Sequence, residues 1–105
     1  MRILVTGGNG RVGLYVLREL LAGGHDPVCY SQGAEAIVHL AAVPGPGRVT
    51  PEKHLEINVI GTANVLEAAV GAGARKVVFG SSGAALGFTF HWHRLVPRYL
   101  PVDEA

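Results

Sequence analysis

Residues Thr6 to Gly13 read TGGNGRVG, between the apolar run RILV (Arg2 to Val5) and the segment LYVLRELLAGG (Leu14 to Gly24). Four of these eight residues are glycine. The apolar run reads as a buried strand, and from Arg11 the pattern changes period. Val12, Leu14, Val16, Leu17, Leu20 and Leu21 make one broad apolar helical face, stopped by Gly23 and Gly24. A glycine-rich loop between a strand and a helix has a specific physical use. Gly7 lets the chain turn sharply out of the strand, Gly10 lets a phosphate approach bare backbone, and Gly13 lets the helix pack closely on the strand. The free N–H groups and the dipole at the helix start then favour a pyrophosphate. Glycine spacing alone is weak evidence; in this strand–loop–helix context it is strong.

The rest of the chain repeats the alternation. Pro27 to Tyr30 reads as a second strand and Ala36 to Leu40 as a third, followed by the loop VPGPGRV. Thr50-Pro51-Glu52 is a helix start, with a capping hydroxyl, proline in the first turn and an acid at the positive end of the dipole. This helix is expected to run to about Val70, with Leu55, Val59, Ala63, Leu66 and Val70 inward, and to close at Gly71 and Gly73. Arg75 to Gly80 is a fourth strand. The remainder has no clean period and reads as an irregular tail from about residue 83. Strands alternating with helices give an α/β, doubly wound parallel sheet of about four strands, in a single domain over residues 1–105.

Composition narrows the function classes. The chain is 49% hydrophobic and 16% charged, with a formal net charge of +1. That charge provides no electrostatic footprint for nucleic acid or a membrane surface. Apolar stretches are shorter than a bilayer span, and no signal peptide is read at the start. The lone Cys29 rules out an internal disulfide and fits a reducing cytoplasm, where it reads as a small buried strand residue. His39 reads as a strand-end histidine satisfied by backbone, or as a cofactor neighbour. His91 and His93 share one side of an extended segment but lack a third metal ligand, so no metal is expected.

Four motifs occur in a familiar order: TGGNGRVG at 6 to 13, VHLAA at 38 to 42, NVIGT at 58 to 62 and VVFGSSGAALG at 77 to 87. In this order they resemble the extended short-chain dehydrogenase/reductase family, the NAD-dependent epimerases and dehydratases that act largely on nucleotide sugars. The resemblance implies a Rossmann-like fold, an NAD or NADP cofactor, a nucleotide-sugar substrate, and room for a homodimer. It implies that Gly7, Gly10, Arg11, Val12 and Gly13 surround the pyrophosphate, and that Leu40, Ala41 and Ala42 line the adenosine side. Asn58 matches the asparagine of the helix flanking the site. Ser81 would approach the nicotinamide ribose, and Ser82 would hydrogen-bond the substrate oxygen undergoing oxidation. Arg11 reads equally well as a phosphate contact or as an ordinary exposed residue.

The chain also departs from that family. Its members use a tyrosine as base, with a lysine four residues on that lowers its pKa. Tyr15, Tyr30 and Tyr99 are followed at that spacing by Glu19, Ala34 and Asp103. The catalytic site is therefore incomplete around Ser82, and hydride transfer by residues 1–105 alone is not expected. Ser31 stands where the family places the acid or base that tells NAD from NADP, so little discrimination is expected. From Ser31 to Gly33 a helix, a strand and a second helix are missing relative to the family. Three readings remain: the nucleotide-binding half of an oxidoreductase or epimerase, a non-catalytic dinucleotide-binding module, or an inert remnant that needs a partner.

Overall fold

In the computed structural model, residues 1–28, 33–45 and 47–82 are described. Strand β1 (Arg2–Thr6) lies at the centre of a sheet it shares with β2 (Asp26–Val28), β3 (Ala36–His39) and β4 (Lys76–Phe79). All pairings are parallel and the order is β2-β1-β3-β4. The sheet is thus wound one way from β1 to β2 and the other way from β1 through β3 to β4. That reversal places a crevice at the carboxyl ends of β1 and β3. The α/β doubly wound expectation holds.

Register divides the side chains between two faces. Ile3 lies opposite Ala36 and Val5 opposite Val38, and these residues form the core with Leu17 and Leu20 of helix α1 (Arg11–Ala22). Leu4 and Thr6 lie opposite Ile37 and His39 on the other face. There Ala69 of helix α3 (Gly61–Gly71) is buried. A parallel sheet covered on both faces needs apolar strands throughout. Ile3 to Val5 of β1 and Ala36 to Val38 of β3 meet that requirement, whereas β4 is exposed along its length.

Helix α1 begins and ends close to where the pattern places it, but its buried stripe is narrower. Gly13 is buried and Val16, Leu17 and Leu20 are half-buried, whereas Val12, Leu14 and Leu21 stay exposed. A helix lying over β1 and β2 meets only one line of side chains, so the outer flank of the broad apolar face is left in solvent.

The second helical segment is continuous but not uniform. Helix α2 (Pro51–Leu55) starts at Thr50, whose hydroxyl accepts the Lys53 N–H at 3.3 Å. The Glu52 carboxyl is held below the usual carboxylate range by its own backbone N–H and by the Thr50 hydroxyl. A π turn (Glu56–Ile60) follows, closed by the Gly61 N–H on the Glu56 carbonyl, and leads directly into α3. The expected inward stripe is wrong here. Leu55, Val59, Leu66 and Val70 are exposed and Ala63 also faces out. Instead His54, Asn58, Thr62, Val65 and Ala69 are turned inward. The inward line carries polar groups with fixed partners, and these partners outweigh the apolar pattern.

Strand β2 is described as Asp26–Val28; Cys29 and Tyr30 of the expected strand lie outside the described residues, as does the tail from residue 83. Only residues 29–35 separate β2 from β3. Crossovers between parallel strands take about a dozen residues or more. The seven residues here fall short of that length, and residues 29–32 among them lie outside the described residues.

Gly13 and Gly71 predict opposite outcomes for the same substitution. A Cβ on Gly13 would overlap the Gly7 carbonyl oxygen and the Gly8 backbone, whereas one on Gly71 meets nothing within 4 Å. Gly13→Ala is expected to destabilise the protein by about 2 kcal/mol or more through overpacking against backbone. Gly71→Ala, at a helical position, is expected to stabilise it by about 0.5 kcal/mol. Urea unfolding of both variants checks the contrast.

Candidate functional site

The crevice is built by three stretches of chain that leave the sheet on the same side. The first is the loop from Gly7 into α1. Gly7 has φ +73°, and a Cβ there would come within 2.8 Å of the Ala41 nitrogen and the Leu40 carbonyl carbon. Glycine is therefore required twice over, by its dihedral and by the approach of β3's exit. The loop turns back at once, the Gly10 N–H donating to the Gly7 carbonyl at 3.0 Å.

Gly10 caps α1 without a side-chain hydrogen bond, and the first turn holds no acid. By contrast, α2 has both Thr50 and Glu52 at its start. The first N–H groups of any helix lack intrahelical partners. Those of α1 receive no side-chain cap, which is the arrangement an external anion can use.

The second stretch, Leu40 to Val43, is held at both ends. The Ala41 N–H donates to Thr6 Oγ1 at 3.3 Å. At Val43 the Asn58 side-chain amide makes a two-point contact: its Oδ1 accepts the Val43 N–H at 2.8 Å and its Nδ2 donates to the Val43 carbonyl at 3.0 Å. His54 Nε2 is 2.9 Å from the same carbonyl.

The third stretch follows β4. Gly80, Ser81 and Ser82 line a cleft of about 260 Å³ together with His39, Leu40, Ala41, Ala42, Asn58, Thr62 and Phe79. Of the residues singled out from sequence, the structure thus gathers Leu40, Ala41, Ala42, Asn58, Ser81 and Ser82 around one space. Gly7, Gly10 and Gly13 form the adjoining loop. Arg11 faces a different hollow on the outer side of α1, with Leu14, Tyr15 and Arg18, and Val12 is exposed nearby.

His39 sits beneath the cleft at 4% exposure. It is satisfied, but by hydroxyls and not by backbone: Nδ1 is 2.6 Å from Thr6 Oγ1 and Nε2 is 3.0 Å from Thr62 Oγ1. Its ring stacks on Phe79 with centroids 5.8 Å apart. Burial holds its pKa below the ordinary histidine value. Thr6, His54 and Thr62 were not singled out as site residues. Thr62 lies within the NVIGT motif, four residues after Asn58, which places both on one helical face. Among the described residues, no three His, Cys, Asp or Glu side chains stand together as a metal site; His91 and His93 lie outside them.

This fold and crevice define a doubly wound, Rossmann-like α/β protein. The chain belongs to the NAD dependent epimerase/dehydratase family, whose pattern it matches over residues 26–91. It is similar to the UDP-glucose 4-epimerase of Rhizobium meliloti (strain 1021), at 31% identity over 137 positions, covering 98% of this chain and 39% of the relative. It also resembles the crystal structure of a short-chain dehydrogenase/reductase superfamily protein from Agrobacterium tumefaciens with bound NAD. That match has a TM-score of 0.78 and 30% identity, and covers 99% of this chain and 38% of that one. The structure of RMD from Pseudomonas aeruginosa complexed with NADPH shares the fold, with a TM-score of 0.78 at 24% identity over 99% of this chain and 41% of that one. The chain spans about two-fifths of the length of the curated relatives it matches. The alignment with the Rhizobium enzyme runs over 137 positions although the chain has 105 residues. The relative therefore carries extra residues inside the matched region.

The burial of His39 gives a pH dependence with a definite sign. With its folded pKa below the ordinary value near 6.5, the unfolded chain takes up a proton first as pH falls. The contribution of His39 to stability is thus present above about pH 6.5 and is lost as pH drops through the folded pKa, by about 1.4 kcal/mol for each unit separating the two values. Urea unfolding between pH 7.5 and pH 5 should show this slope in the parent protein and a smaller one in His39→Gln.

Proposed function

We propose that this chain is the nucleotide-binding half of an NAD(P)-dependent epimerase, dehydratase or reductase acting on a nucleotide sugar. The observation that carries this reading is the meeting of the Gly7–Gly13 loop with Leu40–Ala42 at the reversal of strand order. The bound-NAD and bound-NADPH neighbours and the UDP-glucose 4-epimerase relatives support it. The uncapped start of α1 and the open approach to Gly10 fit a pyrophosphate, because a Cβ on Gly10 would meet only the Gly7 carbonyl oxygen, at 3.2 Å. In this reading residues 1–105 act as one dinucleotide-binding unit in a cytoplasmic homodimer, and the outward face of Leu55, Val59, Leu66 and Val70 supports an association surface.

The bound nicotinamide would supply a hydride acceptor and donor. The chain's own residues then have limited tasks. Gly7, Arg11, Val12 and Gly13 hold the pyrophosphate by backbone N–H donors, while Gly10, whose own N–H is engaged by the Gly7 carbonyl, leaves room for the phosphate to approach. The small side chains of Ala41 and Ala42, beside Leu40, let the adenosine side lie against backbone, while Asn58 keeps that backbone in place. Ser81 binds the nicotinamide ribose, and the Ser82 hydroxyl orients the substrate oxygen. A serine hydroxyl is too weak a base to remove a sugar hydroxyl proton near neutral pH. A tyrosine lowered by a lysine, contributed from outside residues 1–105, would complete that task.

Two measurements test the reading. Gly10→Val should abolish dinucleotide binding in calorimetry by filling the space of the phosphate, with unfolding unchanged within about 1 kcal/mol; unaltered affinity would overturn the pyrophosphate assignment. Residues 1–105 alone, incubated with NAD or NADP and nucleotide sugars, should give no sustained change in reduced-cofactor absorbance. Turnover by that polypeptide, abolished in Ser82→Ala, would mean that a different base acts and that the assigned chemistry is wrong.

A further inference from the structure

The donors and acceptors around His39 can be counted one proton at a time. Thr62 Oγ1 lies 2.6 Å from the Asn58 carbonyl, which can only accept, so the hydroxyl proton of Thr62 points there. Toward His39 Nε2, at 3.0 Å, Thr62 must therefore act as acceptor, and Nε2 carries the hydrogen. A neutral imidazole then has a bare Nδ1, which accepts the Thr6 hydroxyl proton at 2.6 Å. Thr6 Oγ1 keeps a lone pair for the Ala41 N–H. Every donor in the series has an acceptor, and the direction is unique: Ala41 to Thr6 to His39 on one side, His39 to Thr62 to Asn58 on the other. With the proton on Nδ1 instead, the Thr6 hydroxyl proton would lose this acceptor and the Nε2 lone pair would face an oxygen whose proton is already committed.

The two ends of this series are the two anchors of the cleft wall. Ala41 is held directly, and Asn58, whose carbonyl closes the series, holds Val43 through its side chain. We infer that His39 is a positioning residue: fixed as the Nε2–H tautomer between Thr6 and Thr62, it couples helix α3 to the Leu40–Val43 segment and so sets the wall presented to the dinucleotide. The tie to the dinucleotide rests on the function proposed above, whereas the tautomer and the coupling do not.

The test uses Thr62→Val, which keeps shape but removes the hydroxyl, and Thr62→Ser, which restores it. Nitrogen-15 spectra of the intact parent protein near neutral pH should show His39 Nε2 protonated and Nδ1 bare; the opposite tautomer overturns the proposal without any variant. Amide exchange at Ala41 and Val43 should be about tenfold faster in Thr62→Val and within about twofold of the parent in Thr62→Ser. Equal exchange in the parent and both variants overturns the coupling. NAD affinity should fall about fivefold or more in Thr62→Val and recover in Thr62→Ser; undiminished affinity in Thr62→Val overturns the link to binding. A parent protein that binds neither NAD nor NADP removes the functional reading, while the spectra and exchange rates still decide the role of His39.

Discussion

The structure depends on a contact made without side chains. Where α1 leaves the glycine loop, Gly13 lies so close to the carbonyl of Gly7 and the backbone of Gly8 that no Cβ fits between them. Gly7 in turn lies against the exit of β3. Helix, strand and neighbouring strand are thus locked together by main chain, at the point where the order of the sheet reverses. Moving any of them outward would both widen the crevice and detach α1 from β1. The core residues Ile3, Val5 and Ala36, with Leu17, Leu20 and Val38 packed against them, lie directly beneath this contact and would be disturbed by such a shift.

Polar contacts do the corresponding work on the opposite face of the sheet. Here the helix is joined to β3 by a histidine between two threonines and by an asparagine that grips a loop backbone. These bonds have directions, unlike apolar packing, and they leave the Leu40–Val43 segment one position to occupy. The π turn contributes by carrying Asn58: the helix widens where its side chain must reach Val43 while its carbonyl receives Thr62. Insertions of this kind recur at functional sites because they re-aim a residue without ending the helix.

How much could be read from sequence varied with the physics behind each residue. RILV, the glycine loop and AIVH carry their own local signals, so the sheet, its parallel sense and the position of the crevice were legible. Leu40 to Ala42, Ser81 and Ser82 follow strands β3 and β4, and Asn58 lies in the helical segment between them, so the family resemblance could point to one shared space. The inward face of α2 and α3 was not legible from hydrophobicity. Thr62 and His54 have partners more than ten residues away, on β3 and its exit loop, and nothing in the helix itself shows that those partners exist. His39 was recognised as satisfied, but only the fold shows that its partners are hydroxyls from two different elements.

The exposed Leu55, Val59 and Val70 also govern how the molecule behaves as a colloid. With a sequence pI of about 8.0, the protein passes through zero net charge in mildly alkaline buffer. Coulombic repulsion between copies vanishes there, while the attraction of their apolar faces does not. Acidifying the buffer to restore charge moves toward the titration of His39, which weakens the link between helix and sheet. The pH at which copies attract most and the pH at which the helix loosens from the sheet are therefore set by different groups, one set on the outer surface and one residue beneath the cleft.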